Sequence, residues 1–366
     1  MVRRRLTSET GVGRVYEVDF LPVEAKEGPS SKSGDAITLR FTREADGSQI
    51  VVVIDAGFSE VGTKVVEHVD RYYETGRVDL LVSTHPDGDH LNGLKTVLEE
   101  LEVGELLIHR PQLHAVSVAN FTNLEAVNDL IEAATVRGVP VTEPFRGLSR
   151  FDDQFLILGP TTSLYERKLR EHLAEQSGGT AAAMATARKA LLATRSVTTA
   201  LLRRALASYP EETLGEDGIT SARNETSVIA LVQNHERRLL LTGDAGLEGL
   251  AEAAAFYEVV VGAFAQFPID LLHVPHHGSR RNLSPSLLDR LLGPTETPTG
   301  DTAAVISSAA ADLKHPSPKV VNALGRRGAA VVATEGKTIC VPWEAPERFG
   351  WGPVPPLGAL VEDDDG

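Results

Sequence analysis

With 366 residues, 42% of them hydrophobic and 24% charged, the chain is long enough for one large domain or two ordinary ones, and it has no apolar run of bilayer-spanning length. Its 51 acidic side chains against 36 basic ones give a formal net charge of −15, which excludes coating nucleic acid through a broad basic surface but not phosphodiester chemistry helped by bound cations. A single cysteine, Cys340, excludes an internal disulfide framework and fits a reducing cytoplasm, and the opening "MVRRRLTSETGVG" has no apolar segment behind its arginines to read as a signal peptide.

In chain order, "DAITLRF" (35–41) and "QIVVVIDAG" (49–57) read as neighbouring strands around the turn "READGS". "VDLLVST" (78–84) is a strand, and "LNGLKTVLEELEVG" (91–104) a helix that Gly104 stops. "ELLIHRP" gives a strand, "NLEAVNDLIEAATVRG" a helix and "FLILGPT" a short strand. At 163–210 alanine, leucine and arginine dominate without strand signal, and "SGG" interrupts them. That texture predicts an inserted helical hairpin serving as a lid, a substrate cap, an oligomerisation element or decoration. "TSVIALVQN" and "RRLLLTGD" read as a hairpin turning at Asn234–Glu236. The helix "GLEGLAEAAAF", the strand "IDLLHVP", the helix "SPSLLDRLL" and the strand "AAVISS" follow. The helix "SPKVVNALGRRG" then leads to two last strands, "AAVVATEG" and "KTICVPW", the latter with Cys340 as a buried strand residue. The alternation predicts an α/β sandwich over residues 1–345, with 163–210 inserted and 346–366 an irregular Pro-rich and acidic tail.

Four polar clusters fall where strands end and loops begin, the usual place for working residues in layered α/β folds. They are His85, Asp87, Asp89 and His90 in "STHPDGDHLNG", Asp244 in "LLLTGDAG", His276 and His277 in "VPHHGS", and His315 in "LKHPSPK". Each has a plainer reading alone: Asp–Gly–Asp as a turn, Asp244 as a helix cap, His315 as a surface residue before proline. His273 sits among apolar residues and reads as a core strand residue. Jointly, imidazoles and carboxylates from separate loops are what divalent cations need. His85 and Asp87 alternate in an extended loop and can point the same way, whereas Asp89 and His90 diverge and can serve a second ion. Two such ions suit a hydrolase.

These motifs resemble those of the metallo-β-lactamase fold hydrolases. "STHPDGDHLNG" is similar to the family's H-x-H-x-D-H-x-x-G, with Asp87 in place of the second histidine. "LLLTGDAG" resembles the strand ending in the metal-bridging aspartate, "VPHHGS" the later histidine motif, and "VVVIDAG" the strand whose aspartate, here Asp55, supports the metal loop from behind. The hydrolase domain of ComEC-type DNA-uptake proteins is the nearest likeness, through H-x-D-x-D-H, the "GD" strand in "SGDAITLRF", "RNETSVIALV", "TGD", "HHGS" and Lys314-His315-Pro316, in order over roughly residues 15–342. The family's intermediate metal histidine is missing, with Arg223 or Asn224 in its place, and so is the transmembrane competence domain of full ComEC proteins.

The resemblance implies an αββα sandwich with metals at one rim and hydrolysis by a metal-bound hydroxide. It implies two divalent ions, Zn or Mn, one held by His85, Asp87 and Asp244, the other by Asp89, His90, Asp244 and one of His276 and His277, with His276 preferred. Asp89 and His277 would then act in catalysis or on substrate, His315 would protonate the leaving oxygen or bind phosphate, and Asn224 would ligate weakly or touch substrate. The carboxylate at Asp87 adds hardness and negative charge, which favours manganese or magnesium beside zinc and a phosphodiester over a lactam. The expected function is a cytoplasmic phosphodiesterase or nuclease acting on DNA or another nucleic acid, without membrane attachment. Two alternatives are a hydrolase of a small phosphate or ester, and a weakly catalytic binding module that meets a protein partner through the helical insertion.

Overall fold

The run Ile50–Ile54 has no polar side chain to offer water, so as a strand it has to be covered on both faces. A computed structural model gives the protein's structure for residues 15–27, 30–177, 208–298 and 301–362. There Val51 and Val53 pack under helices while Val52 and Ile54 face a second sheet, as the period of a strand requires.

The first half of the chain contributes β1 (Tyr16–Phe20), β2 (Ala25–Glu27), β3 (Ser30–Lys32), β4 (Ala36–Thr42), β5 (Gln49–Ala56), β6 (Arg77–Val78), β7 (Leu80–Val82), β8 (Glu102–Val103), β9 (Leu106–Leu107) and β10 (Val141–Thr142). The second contributes β11 (Ser149–Arg150), β12 (Phe155–Gly159), β13 (Ile229–Asn234), β14 (Arg237–Leu241), β15 (Leu271–His273), β16 (Ala303–Ile306), β17 (Ala330–Ala333) and β18 (Ile339–Glu344). Two sheets result, ordered β10-β9-β7-β5-β4-β1-β18 and β11-β12-β13-β14-β15-β16-β17. In the first, β10, β9, β7 and β5 run parallel and the rest antiparallel. In the second, β14 to β17 run parallel and β11 to β14 antiparallel.

Phe20, Leu39, Ile54 and Val82 of the first sheet meet Ile157, Val232, Leu241 and Leu271 of the second in the central core. The helices Ser59–His68, Leu94–Glu100 and Leu124–Val136 cover the outside of the first sheet. Leu247–Val260, Pro285–Leu292 and Pro318–Arg326 cover the outside of the second. The expected αββα layering is therefore the observed one. Among the described residues, no helix is long and apolar enough to cross a membrane.

Some elements differ from expectation. The helix predicted over 91–104 runs only from Leu94 to Glu100, and the chain then forms β8, paired parallel with β6. A Cβ on Gly104 would lie 2.6 Å from the Asp79 carbonyl oxygen, so the close pairing replaces the last helical turn. β1 escapes sequence detection because Glu17 and Asp19 interrupt its apolar pattern while being buried. Cys340 lies in β18 as expected, but it is half-buried rather than buried. Of the 163–210 insertion, the helix Thr162–Gln176 is seen, capped by Thr161 Oγ1 accepting from the Leu164 amide at 3.1 Å. Residues 178–207 of that insertion, with its second arm, lie outside the described residues, as do the last four of the acidic tail.

The buried acids of β1 find their partners far along the chain. Arg348 donates to both Asp19 oxygens at 2.6 and 2.8 Å and lies 3.0 Å from Glu17, while Arg40 donates to Glu17 at 2.6 Å. Tyr72 and Trp351 flank the Arg348 guanidinium with ring centroids at 4.5 and 4.8 Å. Burial pushes the Asp19 carboxyl up, but His68 and Arg348 outweigh it and hold the group down to about 2. Arg348→Leu is expected to cost about 3 kcal/mol, the typical penalty for stranding a buried charge, read as a lower urea midpoint at pH 7. Because the Asp19 value is depressed, its contribution is complete above pH ~4 and fades as pH falls towards 2. A shift worth under about 1 kcal/mol would mean the pair is solvated.

Candidate metal centre

The parallel halves of the two sheets end at one rim. Asp55 lies near the end of β5, and the chain runs on past β7 to His85, past β14 to Asp244 and past β15 to His276 and His277, so three of the four predicted clusters arrive there, each from its own strand. Two glycines allow the loops to close. A Cβ on Gly93 would lie 2.0 Å from the Ala56 carbonyl oxygen, and one on Gly34 would lie 2.2 Å from that of Asp89. The second approach lets the Asp35 amide donate to Asp89 O at 3.1 Å. Asp55, His276 and His277 have φ of 54°, 50° and 57°, a left-handed backbone that non-glycine residues adopt at a cost and mostly at functional sites.

The Asp244 carboxylate lies at the centre, 3% exposed. Its Oδ2 is 3.7 Å from His85 Nε2 and 3.7 Å from His276 Nε2. Its Oδ1 is 3.4 Å from His90 Nε2 and 3.8 Å from His277 Nε2. Asp87 Oδ2 completes the first set at 4.0 Å from His85 Nε2, and Asp89 Oδ2 the second at 4.0 Å from His277 Nε2. The resemblance implies one of the two adjacent histidines beside Asp89 and His90, with His276 preferred. The structure instead puts His277 there and His276 on the His85 side, because the left-handed turn of "HH" sends adjacent rings to opposite Asp244 oxygens.

Each imidazole is fixed from behind through Nδ1. His90 Nδ1 donates to Asp55 Oδ2 at 2.7 Å and His277 Nδ1 to the Ser307 carbonyl at 2.9 Å. His85 Nδ1 is 3.0 Å from Thr84 Oγ1, whose hydroxyl donates to Asp55 Oδ2 at 2.5 Å, and the Thr84 amide donates to Asp55 Oδ1 at 2.8 Å. His276 Nδ1 is 3.1 Å from Asn282 Oδ1, and Asn282 Nδ2 donates to the carbonyls of Asp244 and Ala245. The partners of His85, His90 and His277 place a proton on Nδ1 of each ring, and all four rings turn Nε2 inward.

The inward atoms of His85, His90, His277 and Asp244 Oδ1 are buried and lack hydrogen-bond partners. Buried polar groups are normally paired, so this convergence fits divalent cations. The donor chemistry agrees, with imidazole nitrogen and carboxylate oxygen in both sets.

Burial pushes His85 and His277 down, keeping their rings neutral, as ligands must be. His90 goes up: burial opposes it, but Asp244 and Asp55 prevail. Asp244 is held well below its usual range by the surrounding imidazoles, against burial. Burial raises Asp87 to about 6, with Arg223 opposing.

Asp55 stands behind the rings of His85 and His90. Asn224 Nδ2 donates to Asp244 Oδ2 at 3.2 Å and lies 3.1 Å from His276 Nδ1. His315 is outside both sets. Its ring stacks on His276 with centroids 5.6 Å apart, and its Nδ1 is 3.1 Å from Asp312 Oδ2.

Several site residues were missed or passed over in the sequence. Asp35 lies under the second set, its Oδ1 3.3 Å from His273 Nε2 and 3.7 Å from His277 Nδ1, its Oδ2 3.7 Å from His90 Nδ1. His273 is indeed a fully buried strand residue, but it is also the imidazole facing Asp35. The signal was available: a histidine inside an apolar strand needs a partner, and "SGD" offers one. Arg223, Asn282 and Thr84 carry no comparable signal, since their roles follow from contacts between distant segments.

No family model and no curated protein matches this chain. Among solved structures, CmlA, a diiron β-hydroxylase from Streptomyces venezuelae, is similar at 12% identity and TM-score 0.43, over 91% of this chain and 55% of its own. The chain thus spans about half the length of CmlA. A diphosphatase from the PhnP family is similar at 10% identity and TM-score 0.38, over 90% and 98% of the two chains. Unliganded yeast PDE1 is similar at 10% identity and TM-score 0.42, over 89% and 99%. These neighbours have the metallo-β-lactamase fold.

With Asp87 raised to about 6, a proton competes for that carboxylate below this value. Apparent metal affinity is expected to fall already as pH drops from neutral, because His90 is pushed up by Asp244 and Asp55 and must lose its proton, and to steepen by about tenfold per pH unit below pH ~6, where Asp87 adds a second displaced proton, measured by chelator competition. A slope that does not steepen between pH 7 and 5 would contradict the placement of Asp87 among the ligands.

Proposed function

We propose that the protein is a metal-dependent hydrolase of phosphodiesters, with nucleic acid as the foremost substrate class and manganese or zinc as the resident ions. The observation that carries this reading is the Asp244 carboxylate, whose two oxygens face two separate sets of inward imidazoles. When bound, a pair of divalent ions there would supply a nucleophile from water at neutral pH and offset charge on phosphoryl oxygens. His85, Asp87, Asp244 and His276 would hold one, and Asp89, His90, Asp244 and His277 the other.

The remaining residues orient and exclude. Asp55 holds His90 directly and His85 through Thr84, so one carboxylate sets the proton positions of both rings. Asn282 fixes His276, and Asn224 steadies the Asp244 oxygen on the same side. His315, stacked on His276 and anchored by Asp312, stands at the rim. There its imidazole can pass a proton to a departing oxygen or bind a phosphate oxygen. The carboxylate at Asp87, where an imidazole would give a softer set, supports a hard anionic substrate. The net charge of −15 supports, as a second reading, a small phosphoester in preference to a long polyanion.

Purified protein loaded with manganese or zinc is expected to cut at least one of plasmid DNA, single-stranded DNA, RNA and bis-p-nitrophenyl phosphate. Asp55→Asn should lower metal affinity or turnover about 10- to 100-fold, the usual cost of losing such a support, and Asp244→Asn should lower it further. If every substrate stays intact, or if Asp244→Asn matches wild type in turnover and metal content, the hydrolase reading fails.

A further inference from the structure

Asp87 has two faces. Its Oδ2 looks to His85, while its Oδ1 lies 2.9 Å from Arg223 Nη1. A guanidinium therefore stands one carboxylate away from the first ligand set. It cannot be a ligand itself, since arginine stays protonated and has no lone pair to give. Its backbone is pinned. The Arg223 carbonyl accepts from the Thr226 amide at 2.9 Å and from Thr226 Oγ1 at 2.6 Å, and the Asn224 amide donates to Ser221 Oγ at 3.1 Å. The same turn thus delivers Asn224 to Asp244 and Arg223 to Asp87, at opposite ends of one ligand set.

The side chain of Arg223 is 21% exposed, and its Nε and Nη2 donate to no protein group among the described residues. Its Nη1 is buried, yet it makes no well-directed hydrogen bond despite the short distance to Asp87. The backbone is fixed in place while the guanidinium's donors are largely unused. A planar fork in that condition is suited to a tetrahedral oxyanion.

We propose that Arg223 is the anion-binding residue of this centre: it neutralises Asp87 while no cation is bound and turns to a phosphoryl oxygen of the substrate once a cation takes that carboxylate. The inference rests on the phosphoesterase reading and deepens it by naming what recognises the phosphate. It follows from electrostatics at close range. A divalent ion on Asp87 cancels the attraction that holds the guanidinium and adds a repulsion, which an anion bridging ion and guanidinium relieves. Cation and anion should then bind cooperatively, and each should tighten the other by the same factor.

The test uses inorganic phosphate as probe, titrated calorimetrically into manganese-loaded and chelator-treated protein, with metal content read by mass spectrometry. In wild type, phosphate should bind the loaded form at least about tenfold more tightly than the stripped form. Arg223→Gln should weaken phosphate binding to the loaded form about tenfold while holding metal as well as wild type or better, because the competing cation is gone. Arg223→Lys should recover part of the loss. The inference is overturned if Arg223→Gln binds phosphate like wild type. It is also overturned if that variant loses its metal, since Arg223 would then be a support for the ligand loop. Turnover of bis-p-nitrophenyl phosphate on the same preparations separates the two readings. Arg223-dependent phosphate binding without turnover by wild type removes the hydrolase and leaves the anion site. Intact turnover with Arg223-independent phosphate binding does the reverse.

Discussion

The carboxylate of Asp244 is where the two sheets meet chemically. Four imidazole Nε2 atoms lie within 3.8 Å of it, two per oxygen, and among the described residues only Asn224 donates a hydrogen bond to it. Without cations, such a cluster depends on charge: Asp244 stays ionised because the imidazoles surround it, and His90 leans towards protonation because Asp244 and Asp55 surround it. A divalent ion on each side would replace that arrangement with direct bonds. The surrounding structure makes sense as the apparatus that keeps four Nε2 atoms pointing at one carboxylate.

That apparatus is built in layers. Parallel strands from both sheets end on the same rim, and the left-handed turn at His276 and His277 splits neighbouring side chains between the two ligand sets. Behind the rings, Asp55 serves two histidines at once, and Asp35 adds a buried negative charge below His90, His273 and His277. His273 and His90 hold that carboxyl well below its usual range, against burial. The result is a pocket of inward imidazoles and carboxylates inside an acidic protein, with the positive charge of Arg223 at its edge.

Much of this could be read in the sequence for a physical reason. Apolar runs such as "QIVVVIDA" carry the strand signal in their own composition, and ligands grouped within six residues, as in "HPDGDH", declare a loop built for cations. What escaped was long-range pairing. β1 hid because Glu17 and Asp19 look like surface residues until Arg40 and Arg348 come to them. Asp35 and His273 looked like a strand start and a core residue until they faced each other, and the choice between His276 and His277 turned on a backbone conformation that spacing does not encode. Arg223 had no partner in the sequence, and its 2.9 Å distance to Asp87 appears only in the folded chain.

Two ions that share the Asp244 carboxylate would be magnetically coupled, and that coupling is the most direct test of the bridge. Electron paramagnetic resonance of the protein loaded with two equivalents of manganese should show an exchange-coupled pair, and Asp244→Asn should convert it to signals of isolated ions or lose one ion. Isolated-ion spectra from wild type at every stoichiometry would contradict the bridge, and with it the reading of Asp244 as the centre of the site.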